Sequence, residues 1–76
     1  MNKARRNAIQ KIVERLEEIR DDIEAVKDEE EEAYENLPES LQESERGEAM
    51  SEAMDALDNA FSSIEEALDN LDTAQQ

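Results

Sequence analysis

Seventy-six residues with 23 acids, 8 bases and a formal net charge of −15 leave room for one small domain and little apolar material to fill it. Cysteine and histidine are both absent, so disulfides, thiolate or imidazole metal sites, and nucleophile systems built on Cys or a Ser/His pair are excluded together. At 41% charged and 3% aromatic the composition approaches that of disordered chains, yet the few apolar residues recur with a regularity that disorder does not require.

In the first half the large apolar residues are Ile9, Ile12, Leu16, Ile19, Ile23 and Val26, at alternating intervals of 3 and 4. That 3.5-residue repeat predicts a coiled-coil-like seam. Extended further, the register meets Glu30, Ala33 and Leu37, so the seam weakens where the acidic run Asp28 to Glu32 begins. No Gly or Pro interrupts the stretch from Lys3 to Asn36, and the sequence predicts one helix over about 3–36. Pro38 lacks an N–H and biases Leu37 away from the helical region, so this helix ends at or before Asn36.

The turn is expected over 37–44. Ser40 with Glu43 matches a capping box and Ser44 offers a second N-cap, which predicts a short helical turn leading into a second helix over about 45–73. There the large residues Met50, Met54, Leu57, Phe61, Ile64, Leu68 and Leu71 repeat the alternation, and one position earlier runs a small-residue stripe of Ala49, Ala53, Ala56, Ala60, Ser63, Ala67, Asn70 and Ala74. Helix propensity explains the abundance of alanine but not its phase, which suggests close approach of another helix. Gly47 falls on this seam, and its missing side chain is expected to admit the end of the first helix, with Tyr34 as the neighbour. A connection this short makes the helices antiparallel neighbours. The expected fold is therefore all-α: one domain, 1–76, an antiparallel two-helix hairpin with a coiled-coil-like seam. Two helices leave one side of every seam residue uncovered, so assembly into a homo-oligomeric bundle is expected, a homodimer or higher, with Ala49, Ala53, Ala56, Ala60, Phe61 and Ala67 as the oligomer face.

Charge is segregated along the chain. Residues 1–27 hold seven of the eight bases (Lys3, Arg5, Arg6, Lys11, Arg15, Arg20, Lys27) against six acids, whereas 28–76 hold seventeen acids and Arg46 alone. The first helix thus carries bases at its N-terminus and acids at its C-terminus, opposite to what its macrodipole favours. The acidic turn end is the expected functional surface, with Asp28, Glu29, Glu31, Glu32, Glu35 and Glu39 meeting a partner and Tyr34, Ser40, Ser44 and Arg46 as a candidate ligand site at the turn. Acids three and four residues apart on a helix are ~5–6 Å apart, which lets such a surface imitate a nucleic-acid backbone toward a basic protein. The commonplace reading of the same charge is a solvated face that keeps a small oligomer soluble.

No catalysis is expected, since a two-helix unit offers no enclosed pocket to shift a carboxylate pKa. Neither a cofactor nor a metal site is expected, because EF-hand spacing is absent and a helix spreads neighbouring acids around its surface. Four N-terminal bases cannot outweigh the acidic body, so no direct DNA or RNA binding is expected. With no apolar run near ~18 residues and no signal-peptide core, neither membrane insertion nor export is expected.

The segment Glu32-Ala33-Tyr34-Glu35-Asn36-Leu37-Pro38-Glu39-Ser40-Leu41-Gln42, followed by Ser44-Glu45-Arg46-Gly47-Glu48, resembles a family of small acidic helical proteins encoded by phages and prophages of Gram-positive bacteria. The opening Met1-Asn2-Lys3 with Arg5 and Arg6 is similar to that family too. The resemblance implies action in the cytoplasm of a bacterial host and carries over no catalytic or binding residue. It favours a regulator or inhibitor of a basic host protein, for example a nucleic-acid-handling defence enzyme. Alternatives are an oligomeric sponge for a small nucleotide signal, by analogy of architecture, and a structural or assembly accessory protein.

Overall fold

The computed structural model describes residues 1–76 throughout and contains three helices, α1 (Lys3–Glu35), α2 (Glu39–Gln42) and α3 (Glu45–Gln75). The long α1 and α3 pack against each other as an antiparallel hairpin, and the molecule is a rod of 58 × 15 × 12 Å. α1 opens on a side-chain cap: Asn2 is extended and its Oδ1 accepts the Arg5 N–H at 2.8 Å, satisfying one of the N–H groups left over at a helix start. Its end is where Pro38 demands it, with Asn36 as C-cap.

The turn differs from the expected capping box. Pro38 is the N-cap of α2, and its carbonyl accepts the Leu41 and Gln42 N–H groups at 2.8 and 3.1 Å. The helical turn therefore starts before Ser40, which lies exposed inside α2, while Glu43 becomes its C-cap. Ser44 does stand at the N-cap of α3 with extended backbone, but its hydroxyl donates backward to the Leu41 carbonyl and accepts nothing from α3.

Gly47 is the one buried residue of the chain, and the reason is steric as expected, though the neighbour is not Tyr34. A Cβ at Gly47 would collide with the carbonyl oxygen and carbon of Gln42, so the backbone of α2 rests directly on the first turn of α3. No residue in the turn has a positive φ. The glycine serves close approach rather than a left-handed bend.

Along α3 the expected seam holds: Met50, Met54, Leu57, Phe61, Ile64, Leu68 and Leu71 are all half-buried. Along α1 it is rotated by one position. Ile9, Leu16 and Ile23 face α3 as expected, but the alternate places are taken by Val13, Arg20, Lys27 and Tyr34, half-buried. Ile12, Ile19 and Val26 instead stand 43%, 46% and 52% exposed. Both rows flank the same central row, so periodicity alone could not choose between them. In the row that is taken, the long stems of Arg20 and Lys27 are half-buried while their heads reach Asp21 and Asp58. No side chain is fully buried in the hairpin. Packing depth is what the single chain lacks.

Candidate functional site

One cleft is present, of about 380 Å³, lined from α1 by Lys27, Glu31, Tyr34 and Glu35 and from α3 by Ser51, Met54, Asp55 and Asp58. Its α1 wall follows from spacing. Lys27, Glu31, Tyr34 and Glu35 are four, three and one residues apart and share one side of the helix. Its α3 wall is built the same way from Ser51, Met54, Asp55 and Asp58. Tyr34 and Met54 are its two hydrophobic lining residues, beside four carboxylates.

The only base in the cleft is already engaged. Lys27 Nζ donates to Asp58 Oδ1 at 2.7 Å across the two helices. That hydrogen bond, aided by the charges of Asp58, Asp28 and Glu31, holds the ammonium above the ordinary lysine pKa. Lys27 is consequently a fixed cation at any physiological pH. Glu31, Glu35 and Asp55 have no cationic partner, since the other ion pair of the chain, Arg20 to Asp21 at 3.2 Å, lies elsewhere on α1.

Of the acidic-tip residues singled out in the sequence, the structure brings Glu31 and Glu35 into the cleft and places Asp28, Glu29, Glu32 and Glu39 on the exposed surface outside it. Asp55 and Asp58 were missed. Their signal was present, because an antiparallel hairpin sets the residues that follow Gly47 beside the end of α1, but the pairing register was not fixed until a cross-helix contact fixed it. Of the candidate ligand site, Tyr34 alone lines the cleft; Ser40, Ser44 and Arg46 share no cavity with it. Arg46 makes no ion pair with Glu43 or with the acidic run.

A second missed residue shapes the tip. Gln42 Nε2 donates to the carbonyls of Tyr34 at 3.1 Å and Leu37 at 3.2 Å, taking up acceptors that the end of α1 leaves without helical partners. Gln42 thus ties α1 to α2 through its side chain while its backbone supports Gly47.

The chemistry open to this cleft is recognition of a cation. Its lining holds no His or Cys, and no cluster of residues has the arrangement of a metal site. An anionic nucleotide would meet four carboxylates and one lysine already bound. A guanidinium or ammonium would meet the reverse, with Tyr34 available for contact with its face. No helix is long and apolar enough to cross a membrane. No protein-family model, curated protein or solved structure matches the chain.

Proposed function

We propose that the chain is a non-catalytic binding protein that captures a basic protein through the acidic cleft, presenting carboxylates where a nucleic acid would present phosphates. The observation that carries this reading is the cleft itself: Glu31, Glu35 and Asp55 line it from two helices without an ion-pair partner, the one lysine among them being bound to Asp58. Within the single hairpin such a surface opposes folding through like-charge repulsion and through the dipole of α1, so the stability of one chain gives no reason for it. In the setting implied by the resemblance to phage and prophage proteins, the partner is a basic host protein, a nucleic-acid-handling defence enzyme being the chemistry that fits best. The nucleotide-sponge reading loses support from the sign of the cleft, and the accessory-protein reading has no observation of its own.

Affinity capture from a host lysate at low and high salt tests the proposal. The native protein should retain basic proteins at about 50 mM salt and release them as counterions replace the carboxylates. The triple variant Glu31→Gln, Glu35→Gln, Asp55→Asn should retain none. Equal capture by the variant, or capture indifferent to salt, would overturn the reading.

A further inference from the structure

The rotated seam gives the hairpin two unlike faces. On α1, Ile12, Ile19 and Val26 lie to one side of the row Ile9, Leu16, Ile23, and Lys27 lies to the other. On α3, Ala60 and Ala67 lie to one side of the row Leu57, Ile64, and Phe61 with Asp58 to the other. The contact between Lys27 and Asp58 fixes which sides coincide. The cleft occupies one face. The opposite face sets the exposed Ile12, Ile19 and Val26 of α1 beside the alanine row of α3, with Val26 near the level of Ala60, Ile19 near Ala67 and Ile12 near Ala74.

We propose that this face is covered by a second copy of the chain, running antiparallel, so that α1 packs on α1 about a two-fold axis at Ile19. Charge decides both the occupant and its direction. Residues 3–13 of α1 contain four bases and no acid, and residues 28–35 contain six acids and no base. Reversing a second copy about Ile19 places Ile12 against its Val26 and sets the basic N-terminal third of α1 alongside the acidic C-terminal end of the partner's α1. Arg15 and Asp22, both exposed and without ion-pair partners in the hairpin, lie one row outward and come level with each other across the axis. The same axis sets Ala67 against itself and Ala60 against Ala74. Their flanking neighbours Ala56, Ser63 and Asn70 are uncharged, so the two acidic α3 helices meet without opposed carboxylates.

The other two-fold arrangement, with its axis along the rod, would stack both turn ends together, each carrying eleven acids from Asp28 to Glu52 against one base. The antiparallel pair avoids this and leaves both clefts open on the outer faces. It also accounts for the charges of α1, which oppose the helix dipole but match a reversed copy of the same helix.

Single-cysteine variants test the register in a chain that has no cysteine of its own. Ile19→Cys should oxidise to a disulfide-linked dimer, since packed helices ~8–10 Å apart bring facing Cα atoms within the ~4.4–6.8 Å a disulfide spans. Ile12→Cys alone and the cleft-face variant Ser51→Cys should stay unlinked, whereas an equimolar mixture of Ile12→Cys and Val26→Cys should cross-link. By sedimentation the native chain should have twice its 8.7 kDa mass. Arg15→Asp and Asp22→Arg should each weaken the dimer about tenfold, and the double variant should restore it. A monomeric native chain, cross-linking of Ser51→Cys as readily as of Ile19→Cys, or failure of the double charge reversal to rescue would each overturn the proposal. None of these readings depends on the basic partner, so this test and the capture experiment fail separately.

Discussion

Gly47 and Gln42 show how much of the tip rests on two residues. In an open helix Gly→Ala would add about 1 kcal/mol of stability. Here the added methyl meets the backbone of Gln42, which cannot rotate aside as a side chain would. Overpacking of this kind typically costs about 1–3 kcal/mol, enough to offset the propensity gain. Gly47→Ala is therefore expected to lower the melting temperature by several degrees in circular dichroism, with displacement of α2 visible in the amide spectrum. Gln42→Ala removes two hydrogen bonds to the end of α1 and should cost about 1–2 kcal/mol. Gln42→Glu tests the donor specifically, because it keeps the shape, loses the N–H groups and should fail to rescue. Lys27 adds a pH signature. Its pKa is raised in the folded state, chiefly by the hydrogen bond to Asp58, so its contribution is complete below the unfolded value near ~10.4 and is lost as pH rises through the folded value. The native protein should lose more stability than Lys27→Met between about pH 10 and 12. Parallel melting curves for the two would show that the ion pair is not coupled to folding.

At the scale of the helices, the number, order, direction and ends of the long elements were legible in the sequence, because Pro38 and the two heptad runs act locally. The rotation of α1 about its own axis was not. Two apolar rows flank Ile9, Leu16 and Ile23, one with Ile12, Ile19 and Val26 and one with Val13 and Tyr34, and hydrophobicity favours the first. The hairpin takes the second, in which Lys27 reaches a carboxylate on another helix. The same rotation moves Phe61 and the alanines to different places, with Phe61 in the intramolecular seam and Ala60 and Ala67 on the opposite flank. The cleft was half legible for the same reason: Glu31, Tyr34 and Glu35 stand on one helix and can be read locally, whereas Asp55 and Asp58 join them only once the register is known. The acids at the end of α1 oppose its dipole by about 0.3–1 kcal/mol each where exposed. Glu31→Gln with Glu35→Gln should accordingly raise the melting temperature by a few degrees while removing capture of a basic partner. A drop in both would mean that the two glutamates act structurally.

For the whole molecule the deciding quantity is net charge set against a missing core. A rod 58 Å long with a charge of −15 and no fully buried side chain is held by a half-covered seam, and its own field works against it. Screening length falls from ~30 Å at 0.01 M salt to ~10 Å at 0.1 M, from half the length of the rod to less than its 15 Å width. Added salt in that range removes repulsion between distant carboxylates first and weakens adjacent pairs such as Lys27 with Asp58 least. Between two copies the balance has the same sign, because two bodies of −15 repel at long range while Arg15 and Asp22 attract only at contact. Raising salt from 0.01 to 0.1 M should therefore raise the melting temperature and strengthen self-association, measured by sedimentation, and lowering pH toward the pI near 4.1 should act in the same direction. Capture of a basic protein by the cleft must respond oppositely, since there the long-range force is attractive. Salt thus separates the two surfaces of the hairpin: the Ile19 face should gain from it and the cleft should lose. Weakening of self-association over the same range would mean that contact charges, not the apolar stripe, hold the copies together.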